Sequence, residues 1–216
     1  MSRIRKLLWS VALSISLTLH NTRAMSETVD KLQDRVQAVA QQKWGGRSID
    51  NPLYDLSIRK WNGIYNPSIP WYWAKAQLLA ESGLNPVAVS PVGAMGLGQF
   101  MPDTWTDMEQ QLRFKGSAYN PYLSVQANAY YMSKLRAQFK KDRPERDRHS
   151  LALAAYNAGL GNVLKAQKLG GGSLYYTPMI KALPSVTGQK NSKETRDYVN
   201  RIWGYVDYYR RKEEEQ

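Results

Sequence analysis

The sequence predicts a mainly α-helical domain, and three observations carry that prediction. Apolar residues recur at helical spacing in several stretches, and the breaks between them fall at Gly, Pro and Asn residues that start or stop helices. No stretch shows the sustained apolar–polar alternation of a half-buried strand. With 216 residues and 43% apolar content, the chain has the size of one globular domain with an extension.

The extension comes first. Arg3, Arg5 and Lys6 precede an uncharged stretch from Leu7 to Leu19, and Thr22-Arg23-Ala24 offers small residues at the two positions a signal peptidase reads. Residues 1–24 therefore read as a secretory signal, with an apolar run shorter than the roughly 20 residues of a membrane span. A membrane anchor that stays attached is the alternative. Val29, Leu32, Val36 and Val39 recur at helical spacing, which predicts an amphipathic helix over 27–43, ended by Gly45-Gly46. Residues 45–70, punctuated by Gly, Asn and Pro, read as a connector, so 25–64 form a helix and connector ahead of a single domain at 65–216.

Within that domain a helix begins near Pro70, carries WYWAKAQLLAES and stops at Gly83. A long Gly- and Pro-rich loop follows over 83–102. Asn120-Pro121 starts the next helix, because Asn caps and Pro is tolerated at the first helical position. Ser150 is placed to cap LALAAYNAG, which Gly159 terminates, and the charged run from Phe139 to His149 reads as a solvated loop before it. A last helix over 192–211 sets Tyr198, Ile202, Val206 and Tyr209 on one face.

Composition excludes several chemistries. The chain has no Cys, which removes a disulfide framework, a Cys nucleophile and thiolate zinc sites, and its two His argue against a His-rich metal centre. No cofactor or metal is expected. The net charge of +12 falls to +8 once the four basic residues of the signal are removed. The remaining Lys and Arg are spread among acids with no nucleic-acid motif, so the expected polyanion is not nucleic acid. Fourteen Tyr and seven Trp against three Phe favour rings with a polar handle, which suit carbohydrate. Trp71, Trp73, Tyr119, Tyr130, Tyr131 and Tyr176 are the candidates, with core packing as the plain alternative.

The most informative feature is an absence. Between Asp55 and Asp103 the only acid is Glu81, and residues 82–102 carry no charge of either sign. Glu81 also falls at the C-terminal end of its helix, where the macrodipole is negative. Desolvation and that helix end both disfavour the carboxylate, so its pKa should rise and the group could hold a proton near neutrality, as a general acid must. A Glu pointing to solvent from a helix end is the alternative on position alone. Asp103 and Asp107, the next acids, read as helix-start residues first.

Three strings decide between these. ESGLNPVAVSPVGAMGLGQFMP from Glu81 to Pro102, AAYNAG from Ala154 to Gly159 and ETRDYV from Glu194 to Val199 together resemble the soluble lytic transglycosylase family over about residues 65–209. The resemblance implies a goose-lysozyme-like helical fold with a deep substrate cleft. It also implies export to the periplasm and a peptidoglycan glycan substrate, cut between N-acetylmuramic acid and N-acetylglucosamine with closure of a 1,6-anhydro ring. By position it makes Glu81 the single acid and base. Ser90 and Gln99 become saccharide contacts, Met101 an apolar wall, and Tyr156 the phenol that reaches the acid, with Asn157 beside it. Glu194 and Tyr198 become the last lining motif. Each of these has a structural alternative, such as turn shaping by Ser90 or core packing by Met101 and Tyr156.

The chain departs from the family at Gly98, where Met commonly precedes the glutamine, which questions the wall beside Gln99. The resemblance allows a place in a secretion, conjugation or phage machine as well as in wall turnover, with membrane contact only through an uncleaved signal. A water-using muramidase and a non-catalytic wall-binding module are the competing functions. Only the lytic enzyme yields 1,6-anhydro ends.

Overall fold

The computed structural model describes residues 49–215, all within one compact unit that spans 46–216. The signal segment 1–24 and the helix expected over 27–43 lie outside the described residues. Among the described residues eight helices follow one another: α1 (Asp55–Tyr65), α2 (Trp71–Ser82), α3 (Pro102–Leu112), α4 (Pro121–Gln138), α5 (Glu145–Ala158), α6 (Leu160–Leu169), α7 (Tyr176–Ala182) and α8 (Pro184–Glu214). No strand occurs among the described residues. Two isolated antiparallel bridges, Val89 with Met95 and Met95 with Phe100, are confined to the loop before α3.

Helix α2 is central. Ala74 to Leu79 are all buried, so the helix is enclosed on every side rather than along one stripe, and it packs on α1 and α8. Gly83 ends it in the left-handed conformation, φ 66°, with its N–H on the Leu79 carbonyl. That stop leaves Glu81 in the last turn. Against α2, α8 buries Tyr198, Val199, Ile202, Trp203, Val206 and Tyr209. The face expected for the last helix is therefore present, on a longer helix kinked at Gly188 (φ 80°, ψ 165°). Asn120 caps α4 as expected, its Oδ1 accepting from the N–H groups of Tyr122 and Leu123 at 3.0 and 3.3 Å.

Two sequence expectations need correction. Residues 55–65 are helix α1, not irregular connector. The helix buries Ile58 and Asn62 and leaves Leu56 and Ile64 exposed. Asn62 ties the helix to the segment just after it, Nδ2 donating to Ile69 O at 3.0 Å, and the C-cap Asn66 reaches α4, its Nδ2 donating to Ala129 O at 2.8 Å. The charged run before Ser150 is likewise not all loop. Helix α5 already starts at Glu145 after Pro144, with Glu145 and Asp147 in the first turn, where acids suit the dipole. Ser150 is no cap; its Oγ donates to Arg146 O and accepts from Trp203 Nε1 at 2.9 Å.

Candidate active site

Glu81 projects from the last turn of α2 toward α8. The Tyr198 hydroxyl donates to Glu81 Oε1 at 2.5 Å, and Gln77 Nε2, one turn earlier on α2, donates to the Tyr198 oxygen at 3.3 Å. The carboxyl is densely enclosed by protein, yet the residue keeps part of its surface accessible. Burial pushes its pKa up to about 7, against the opposing pull of the Tyr198 hydrogen bond and the Arg201 charge. A carboxyl poised there holds its proton in one step and takes one back in the next. Among the described residues no other carboxylate contributes to this shift.

Tyr156 stands near the acid, but it is not the phenol that reaches it. Its hydroxyl donates to Gly98 O at 2.6 Å, and its own pKa lies well above the ordinary tyrosine value, through burial first and then the Glu81 charge. In this structure the phenol hydrogen-bonded to the acid is that of Tyr198. Gly98 is held from both ends, its N–H donating to Ser124 Oγ at 3.1 Å. A Cβ on residue 98 would sit 2.6 Å from the Phe100 ring, which accounts for the missing Met: Phe100 occupies the space beside the backbone. Gly96 is required more strictly, since a Cβ there would lie 2.0 Å from Ala118 O at φ 71°.

The remaining expected residues fall into two groups. In the loop between α2 and α3, Ser90 Oγ accepts from Ala94 N at 2.9 Å, and Gln99, at φ 49°, donates from Nε2 to Ala88 O and Gly96 O at 3.1 and 2.9 Å. Both side chains thus shape the loop, and Met101, 44% exposed, leads from it into α3. In the second group, Asn157 and Glu194 line a pocket of about 230 Å³ with Asn162, Thr187, Asn191 and Thr195. Thr195 Oγ1 donates to Asn157 Oδ1 at 2.7 Å and stands one turn before Tyr198 on α8, while Glu81 itself does not line this pocket. Asp103 and Asp107 lie exposed on α3.

Three contributors were missed by sequence reasoning: Gln77, Arg201 and the Gly98 carbonyl. Gln77 carried a readable signal, a neutral amide inside the fully apolar run Ala76–Leu79 and one turn before the isolated acid. Arg201 carried none, because its relation to Glu81 depends on how α8 crosses α2.

A family model described as the transglycosylase SLT domain matches residues 60–176, more than half of the chain. The chain belongs to this family. An SLT-family relative, the membrane-bound lytic murein transglycosylase F of Shewanella halifaxensis, is 33% identical over 174 residues, 76% of this chain and 35% of the relative. The soluble lytic murein transglycosylase of Escherichia coli is 31% identical over 66% of this chain and 21% of its own length. Among solved structures, the 70 kDa soluble lytic transglycosylase of E. coli aligns with a TM-score of 0.58 and 29% identity over 74% of this chain and 24% of that one. An inactive mutant of the lytic transglycosylase Slt of Pseudomonas aeruginosa aligns at 0.59 and 26%, with the same coverage. The fold is thus the lysozyme-like helical fold of this family, and the chain spans about a third or less of the length of these relatives.

Proposed function

We propose that this SLT domain is a peptidoglycan lytic transglycosylase in which Glu81 serves as both acid and base. One observation carries the reading. Among the described residues no other carboxylate perturbs Glu81, which is buried enough to titrate near neutrality and is held on Oε1 by the Tyr198 phenol. Retaining and inverting glycosidases need a second carboxylate, while substrate-assisted routes use the sugar 2-acetamido group instead. A solitary acid suits the assisted route.

In that reaction Glu81 gives its proton to the glycosidic oxygen as the bond to the muramic acid C1 breaks. The 2-acetamido group supports the developing positive centre. The Glu81 carboxylate then takes the proton of the muramic acid 6-hydroxyl while its oxygen bonds to C1, which closes the 1,6-anhydro ring and restores the acid. No water is consumed. In this proposal the loop carrying Ser90, Gln99 and Met101 and the pocket lined by Asn157 and Glu194 supply the contacts that orient the strand. The names of the relatives, lytic murein transglycosylases, support the substrate. The signal-like residues 1–24 support export to the periplasm, and no helix among the described residues is long and apolar enough to cross a membrane.

The test is digestion of purified sacculi by the chain and by Glu81→Gln. The variant is expected to release soluble muropeptides at least about 100-fold more slowly, the loss typical of a removed general acid. Release at the parental rate would refute Glu81 as the acid, and no release by either form would favour a wall-binding module.

A further inference from the structure

We infer that Gln77 fixes the direction of the hydrogen-bond chain from Gln77 through Tyr198 to Glu81, and so keeps the transferable proton of Glu81 on Oε2. The inference rests on the proposal that Glu81 is the general acid. A phenol has one proton and donates once, while an amide nitrogen only donates. With Gln77 Nε2 facing the Tyr198 oxygen at 3.3 Å, the phenol receives there and spends its own proton on Glu81 Oε1 at 2.5 Å. Oε1 is then an acceptor in both protonation states, and since a carbonyl oxygen accepts better than a hydroxyl oxygen, the proton of Glu81 is favoured on Oε2. That oxygen accepts no hydrogen bond from the described residues and is not among the sealed, unpartnered buried atoms. It is the face left for substrate.

Without Gln77 the phenol is free to turn and accept from a protonated Oε1, which parks the acid's proton on the wrong oxygen. The residue is otherwise hard to explain. Gln77 is fully buried between Ala76 and Leu78, and its own Oε1 has no partner, a cost that an apolar side chain would not carry. With the amide turned over, its oxygen would compete with Glu81 for the single phenol proton. The other groups facing Glu81 do not substitute. Tyr156, from α5, spends its hydroxyl on Gly98 O. Arg201, from α8, lies over the Tyr198 ring at 5.9 Å and acts through its charge. Gln77 is thus a positioning residue, acting through Tyr198.

The experiment measures kcat, KM and the pH profile on soluble glycan strands for Gln77→Leu, Tyr198→Phe, the double variant and Glu81→Gln. Gln77→Leu is expected to lower kcat about tenfold, a part of what a general acid supplies, with KM little changed. Its basic limb should move to higher pH, because a weaker phenol donor stabilises the carboxylate less. In the Tyr198→Phe background the same substitution should have no further effect on kcat, a result that a packing role would not give. Gln77→Met, of similar shape and without a donor, repeats the test where Leu disturbs folding. Wild-type kcat and pH profile in both Gln77 variants, with Glu81→Gln inactive, would overturn this inference alone. An active Glu81→Gln would remove the functional proposal beneath it.

Discussion

Glu81 places a functional demand on the stability of the domain. Its carboxyl holds its proton more tightly in the folded chain, with a pKa of about 7 against 4.5 for the free side chain. Its contribution to stability is therefore complete below about pH 4.5 and is lost as the pH rises toward 7. The loss amounts to roughly 3 kcal/mol at most, since the residue keeps an edge open to solvent. Glu81→Gln carries no charge to bury. It is expected to be more stable than the parent at about pH 8 and equal to it near pH 4, measured by urea unfolding at the two values. The importance of this carboxyl was legible in the sequence, because an acid alone in a long uncharged stretch is visible without a structure. Which tyrosine reaches it was not: Tyr156 and Tyr198 sit on different helices, and only the packing of α8 on α2, with α5 behind α8, decides between them.

At the scale of elements, the loop between α2 and α3 depends on matched sizes. Gly98→Ala should destabilise the domain by about 1–3 kcal/mol, because the new methyl meets the Phe100 ring and the ring is fixed in a core with Trp105 and Met108. Adding Phe100→Leu should return part of that loss, and thermal melts of the three variants check the coupling. Asn120→Ala should cost about 1 kcal/mol through the lost cap of α4, read in the same melts. Helix ends that rest on a single local device, Gly83, Asn120 and Gly159, were legible from the sequence. Helix α1 and the start of α5 were not. The end of α1 is fixed by Asn66 reaching Ala129 across the fold, which no local pattern announces, whereas the start of α5 is marked by Pro144 and the acids after it, a signal hidden among the many charges of the run.

For the whole molecule, α2, α5 and α8 meet around His149, which is buried against Trp73 and Trp203 with ring centroids 4.9 and 6.0 Å away and has Arg136 at its Nδ1. Burial, and then the Arg136 charge, hold its pKa well below 6.5. The neutral ring is what the fold accommodates, so its contribution is intact above pH 6.5 and is lost as the pH falls through the depressed value. His149→Leu should flatten the acid side of the stability profile, measured by urea unfolding as a function of pH. The same three helices carry Glu81, Tyr156 and Tyr198, so the junction that orders the core also assembles the site. The central claim, transfer to the muramic acid 6-hydroxyl rather than to water, is tested most directly by digesting sacculi in heavy-oxygen water and analysing the new chain ends by mass spectrometry. Intramolecular transfer gives 1,6-anhydro ends that carry no label; reducing ends that carry one heavy oxygen each would show transfer to water instead.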